Sequence, residues 1–304
     1  MSRRIRGQDQ AVQALARSMR ANAAGLAKVD APVGVFLLVG PSGVGKTETA
    51  LALADLLYAG DRFLTTINLS EFQEKHSVSR LIGSPPGYVG YGEGGMLTEA
   101  ARQKPYSVIL LDEVEKADPD VLNVFYQIFD KGVANDGEGR EINFRNCLFL
   151  MTSNLASEQI IALCQGGMRP DVTELENAIR PTLSRHFKPA LLGRMQVVPY
   201  YPIDGSLLRE LVELKLARFG ERLCTRNLHF SHGPELIEHF AERCTHTESG
   251  ARLIDQLIEQ QLQPTIVDQV LASMATGNAL SGVHVGLEAN GQIRYEFSLE
   301  APRD

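Results

Sequence analysis

Eight consecutive residues, Gly40-Pro41-Ser42-Gly43-Val44-Gly45-Lys46-Thr47, constrain the fold more than any other stretch. They fit G-x-x-x-x-G-K-[ST] at every fixed position. The flanks agree with the motif. Phe36-Leu37-Leu38-Val39 is a short apolar run that reads as a buried strand, and Lys46 to Tyr58 is rich in Ala and Leu at a helical period. A glycine-rich turn between a strand and a helix lets successive backbone N–H groups close around a phosphate, with the positive end of the helix behind them. In such a loop Lys46 reaches the β- and γ-phosphates and the Thr47 hydroxyl ligates Mg²⁺. The alternative is a strand-to-helix turn with a solvated lysine.

Further strands and helices alternate after the loop. Leu64 to Leu69, Tyr106 to Leu111, Cys147 to Met151 and Gln196 to Val198 read as strands; the apolar runs are those of a sheet buried on both faces. Asp9 is expected to cap an N-terminal helix. Met96 to Gln103 reads as a helix, as does Pro119 to about Asp130, capped by Asp118. Asn135-Asp136-Gly137 signals a hairpin that returns through Glu141 to Phe144. Glu174 to His186 reads as a helix interrupted near Pro181. The window 83–95 holds two prolines and six glycines and cannot be regular structure.

Pro199 to Gly205 reads as a linker, so the expected division is 1–198 for a large domain and 199–304 for a small one. The second part is mostly helical: 206–223, 234–244 and 251–274, the last containing Pro264. A hairpin around Asn290-Gly291 closes the chain. The expected fold is therefore α/β, a three-layer domain built on a parallel sheet, followed by a smaller, mostly helical α+β domain.

In a parallel sheet ligands sit beyond the carboxyl ends of the strands. Three strands end there in polar residues: in the glycine-rich loop, in Asp112-Glu113, and in Asn154. Asp112 suits Mg²⁺, and Glu113 suits polarising an attacking water. Asn154 is suited to orient that water, or alternatively to cap a helix.

The 304 residues are 44% hydrophobic and 22% charged, with a formal net charge of -7. An acidic balance argues against a surface built to grip nucleic acid or anionic lipid. The four cysteines form no C-x-x-C pair and read as small core residues in a reducing compartment. No apolar run reaches 18 residues and the N-terminus lacks an apolar signal core, so a cytoplasmic protein without membrane insertion is expected.

Leu110-Leu111-Asp112-Glu113, Thr152-Ser153-Asn154, Leu192-Gly193-Arg194 and Gly250-Ala251-Arg252, taken with the glycine-rich loop, resemble an AAA+ ATPase of the Clp/Hsp100 class, in its second (C-terminal) module. Gly87-Tyr88-Val89-Gly90 and the run Glu113-Val114-Glu115-Lys116-Ala117 are specific for that class. Residues 40–54, 187–195 and 244–255 look most like the ClpV branch, which serves type VI secretion; the ClpB disaggregases come next.

The resemblance implies ATP and Mg²⁺ as cofactors, held by Pro41, Ser42, Gly43, Val44, Gly45, Lys46, Thr47, Glu48 and Asp112. Ile5, Arg6 and Gly7 match the lead-in against adenine, although relatives often carry an aliphatic residue at Arg6. Arg194 stands where the family has its arginine finger; its bland alternative is a surface ion pair. Ala251 and Arg252 stand at the sensor position of the small domain, with a local salt bridge as the alternative for Arg252. Tyr88 and Val89 match the axial pore loop, although Tyr88 could instead anchor in a core. The hairpin between Lys131 and Phe144 matches a second pore loop or is a solvated turn. The implied activity is ATP-driven threading of polypeptide through a homo-hexameric ring. The substrate implied by the ClpV branch is the contracted secretion sheath; a general disaggregase is the alternative. A nucleic-acid motor of clamp-loader type is a third reading, disfavoured by the uncharged 87–90 loop. The family's N-terminal domain and first ATPase ring have no counterpart in the sequence, so a piece of a longer protein is expected.

Overall fold

The structure is a computed structural model that describes residues 1, 4–26, 28–88, 90–245, 251–276, 280–288 and 290–299. Contacts divide the chain into two compact units, Met1–Pro202 and Ile203–Asp304.

The first unit is organised by five parallel strands. Helix α1 (Asp9–Ala23) leads into β1 (Gly34–Val39), the glycine-rich loop and α2 (Lys46–Tyr58). Gln8, not Asp9, occupies the cap position of α1. Its buried side chain instead donates to Tyr201 O and accepts from Tyr201 N–H. Strand β2 (Leu64–Asn68) is followed by short helix α3 (Val78–Ile82), α4 (Met96–Gln103) and β3 (Val108–Asp112). Helix α5 (Pro119–Lys131) starts where Asp118 accepts from the Asp120 N–H, with proline in the first turn. It ends at Gly132 in the left-handed region, whose N–H returns to Ile128 O.

A hairpin, β4 (Val133–Asn135) and β5 (Glu141–Asn143), precedes β6 (Leu148–Ser153). The Asn-Asp-Gly signal marks the hairpin, but the turn spans 136–140 rather than two residues. Asp136 accepts from the N–H groups of Glu138 and Arg140, which closes the longer loop. Then come α6 (Ser157–Leu163), α7 (Val172–His186), α8 (Pro189–Leu192) and β7 (Gln196–Pro199). Helix α7 runs through Pro181 without interruption. Buried Leu175, Ile179 and Leu183, spaced four apart, hold it across the missing N–H.

The sheet order is β2-β3-β6-β1-β7. Side chains alternate between two buried faces. Leu37, Val39, Ile109, Leu111, Phe149 and Met151 join one core with Phe125 and Phe129 of α5 and Ile179 of α7. Their neighbours Phe36, Leu38, Leu110 and Leu150 are equally buried outside that cluster, on the opposite face, and α2 packs against β2, β3 and β6. The expected linker begins later than the composition suggested. Tyr200 and Tyr201 are buried, and the Tyr200 N–H donates to Val39 O.

In the second unit α9 (Gly205–Cys224), β8 (His229–His232), α10 (Pro234–Thr245) and α11 (Ala251–Leu257) precede a π-helical stretch, Ile258–Leu262, and α12 (Gln263–Thr276). The single helix expected over 251–274 is thus broken in register. Pro264 has no N–H to offer Gln260 O, and wider bonding absorbs the mismatch. Strands β9 (Leu280–Leu287) and β10 (Ile293–Leu299) pair antiparallel, and β8 joins β9 in parallel. Strand β8 is a His/Ser-containing tetrapeptide whose one apolar residue, Phe230, is too weak a signal, and it escaped the sequence reading. Cys147 and Cys244 are buried as expected, but Cys224 is exposed.

Within the first unit, one buried polar contact ties Tyr200 to the glycine-rich loop. Thr49 Oγ1 donates to Gly45 O at 2.9 Å, so the Tyr200 hydroxyl, 2.8 Å away, donates to Thr49. Replacing Tyr200 by Phe is expected to destabilise the first unit by about 1 kcal/mol, read as a lower urea midpoint with unchanged slope.

Candidate functional site

The parallel register sets the site. Val39 pairs with Ser153 and Leu111 with Met151. Strands β3, β6 and β1 are neighbours, so they release their chains at one level of one edge. The glycine-rich loop, Asp112-Glu113 and Asn154 leave from those three ends, as the sequence reading required.

Gly45 caps α2 in the left-handed region, φ 99°, which a side chain rarely adopts. Gly40 is needed for space: a Cβ there would lie 2.8 Å from Tyr200 O. Lys46 is buried at 8% exposure. Its ammonium donates to Gly40 O at 2.5 Å, Pro41 O at 2.7 Å and Asn154 Oδ1 at 2.8 Å. The Asn154 side chain is therefore turned to the loop. It does not cap α6, whose cap position is Ala156. Thr47 is the second residue of α2. Glu48 accepts from Arg4 at 3.1 Å, a partner the sequence reading missed. Ile5 is buried and Arg6 exposed, and Gly7 has φ 71°.

Asp112 and Glu113 are joined through Thr152, to which the sequence reading gave no role. Its hydroxyl donates to Asp112 Oδ1 and accepts from the Glu113 N–H at 3.1 Å. Glu113 has φ 55°, unusual for a residue with a side chain. Its carboxylate accepts from Lys116 at 2.9 Å. Thr47 and Asp112 offer oxygen only. Among the described residues no cluster of three or more His, Cys, Asp or Glu could hold a metal. That donor set fits Mg²⁺, which takes few protein ligands and fills its sphere from phosphate and water.

Arg194 follows α8. It grips Asp130 at the end of α5 through two parallel bonds, Nε to Oδ1 at 2.7 Å and Nη2 to Oδ2 at 2.5 Å. It also donates to Ala190 O and lies 5.4 Å from the centre of the Tyr126 ring. Hydrogen bonding from Arg194 holds the Asp130 carboxyl below the usual carboxylate range. The guanidinium is thus held within its own chain by a fork-on-fork pair.

The loop over 83–95 exposes Tyr88 at 70% and Tyr91 at 52%, so Tyr88 anchors no core. Val89 lies outside the described residues. The base of the loop is fixed where Gly137 N–H donates to Ile82 O, so the hairpin and the loop form one surface feature. A Cβ on Gly137 would come within 2.5 Å of Gly83 O. In the second unit Ala251 and Arg252 open α11, with Arg252 exposed; Gly250 lies outside the described residues.

Comparison with known proteins decides the family. A profile described as "AAA domain (Cdc48 subfamily)" matches residues 31–198. The chain belongs to the AAA+ ATPases. A second profile, "C-terminal, D2-small domain, of ClpB protein", matches 204–282, which makes this AAA+ chain a Clp/Hsp100 second module. It is 47% identical over 300 residues to "AAA+ ATPase ClpV1" of Pseudomonas aeruginosa, covering 98% of this chain and 33% of that protein. It is 48% identical over 268 residues to "Chaperone protein ClpB" of Yersinia enterocolitica, covering 88% and 30%. A solved chain in "Closed State CryoEM Reconstruction of Hsp104:ATPyS and FITC casein" superposes with a TM-score of 0.84 at 31% identity, covering 97% of this chain and 50% of the other. This AAA+ module spans about a third of the length of the curated relatives it matches.

Gly40→Ala places a methyl group against the Tyr200 carbonyl. It is expected to destabilise the first unit by about 1–3 kcal/mol and to weaken binding of a fluorescent ATP analogue, both measurable on one preparation.

Proposed function

We propose that this chain is the ATP-hydrolysing second ring module of a hexameric protein-remodelling machine. The observation that carries the reading is the convergence of the Lys46 clasp, the Asp112-Glu113 pair and Asn154 at one sheet edge, in a chain of the Clp/Hsp100 class. The first unit is read as the nucleotide-binding domain and the second as its lid.

Lys46 and the N–H groups of residues 42–45 hold the ATP phosphates, with Ile5, Arg6 and Gly7 at the adenine. Exposed Arg6 contributes its backbone there. Thr47 and Asp112 would hold Mg²⁺, which would supply positive charge to the phosphate oxygens. Glu113 accepts the proton of the attacking water, and Asn154 orients that water. Arg194 leaves Asp130 to neutralise charge on the nucleotide of the adjoining subunit, and Arg252 couples the lid to the phosphates. Tyr88, with Val89 beside it, supplies a sequence-blind apolar grip on an extended polypeptide. Its exposure on a glycine-hinged loop supports this role.

The identity to ClpV1 over nearly the whole chain supports the secretion sheath as substrate. The similar identity to ClpB supports a general disaggregase as the second reading. A cytoplasmic location follows from either. No helix among the described residues is long and apolar enough to cross a membrane.

Glu113→Gln is expected to keep ATP bound and lower turnover at least about a hundredfold; undiminished turnover would give the base role to another residue. Tyr88→Ala in the full-length polypeptide should leave ATP binding intact and abolish remodelling of purified sheath. Stimulation of the ATPase by single-stranded DNA, and not by unfolded polypeptide, would replace the remodelling reading with a nucleic-acid motor.

A further inference from the structure

Glu115 belongs to the run Glu113-Val114-Glu115-Lys116-Ala117, and none of the roles above uses it. It lies in the single 3₁₀ turn that follows Glu113. Its Oε1 accepts from the backbone N–H of Asn154 at 3.0 Å, across 39 residues of chain. Its Oε2 is buried and has no hydrogen-bond partner among the described residues. A carboxylate with one satisfied and one bare oxygen is an expensive way to cap one peptide group, because an unpartnered buried polar atom is destabilising. Such unfavourable groups persist where the geometry they impose is used.

The geometry imposed is specific. Asn154 is held from two sides: its N–H by Glu115 and its Oδ1 by Lys46. The turn carrying Glu115 begins at Glu113, which is itself in the left-handed region and anchored by Thr152. One short turn therefore positions the end of β3 and the end of β6 together, and β6 in turn meets the lysine of the glycine-rich loop. We propose that Glu115 is a positioning residue for hydrolysis. It fixes the backbone at Asn154 so that the side-chain amide faces the phosphate site in step with Glu113. This rests on the ATPase reading above.

The test uses the full-length polypeptide that carries this module. Glu115→Ala is expected to lower kcat about tenfold with KM for ATP changed less than about twofold. Glu115→Gln retains an oxygen acceptor and should recover most of kcat. In an Asn154→Ala background, Glu115→Ala should bring no further loss, because the group it positions is gone. Amide hydrogen exchange of the peptide containing 154–155 should accelerate in Glu115→Ala and return towards wild type in Glu115→Gln. Wild-type kcat in Glu115→Ala overturns the proposal, as does an equal loss with and without Asn154, or a Gln variant no better than Ala. If instead wild-type protein hydrolyses no ATP, the ATPase roles fail. The exchange measurement still decides whether Glu115 holds Asn154.

Discussion

The side-by-side pairing of β3, β6 and β1 is the constraint on which the site depends. A one-residue slip between any two would turn every side chain of the slipped strand to the other face and bring one strand end out of line. Both faces of the sheet are buried, so such a slip would put no residue in water but would mismatch every packed neighbour. Phe149 alone lies within 6.4 Å, ring centre to ring centre, of Phe125, Phe129 and Phe144. Core packing of this density holds register, and register holds Lys46, Asp112 and Asn154 at one edge of the sheet.

The polar groups at this edge form a chain rather than a set of independent contacts. Thr152 joins Asp112 to Glu113, Glu115 joins the same turn to Asn154, and Asn154 reaches Lys46. Hydrogen-bonded networks of this kind behave as units, so loss of one member leaves others unsatisfied. Tyr200 and Thr49 add a second line of support beneath the loop. That segment read as linker by composition because proline and two tyrosines interrupt the apolar pattern. It is instead the last piece of the first core.

The sequence exposes most of this architecture. Asp118-Pro119 marks the start of α5 because capping is a local interaction, settled within three residues. The glycine-rich loop and the acidic pair are legible for the same reason: each must satisfy a local backbone requirement. Thr152, Glu115 and Asp130 were not legible as partners. Their bonds close over 40, 39 and 64 residues, and no propensity reports such pairings. Helix 251–274 failed for a different reason. Apolar periodicity continues through it while Pro264 and a π-helical stretch shift its phase. The neighbouring Tyr295 hydroxyl donates to Gln261 O in that stretch, a contact from the far end of the chain.

Lys46 and Arg194 stand in different dielectric surroundings. The Lys46 ammonium is enclosed by three oxygens in the protein interior. Arg194 and Asp130 meet where both side chains still touch solvent, at 29% and 45% exposure. Mobile ions reach the second pair and barely reach the first. Ionic strength therefore acts on the module as a selective reagent. It loosens the arginine from its own chain well before it disturbs the lysine clasp.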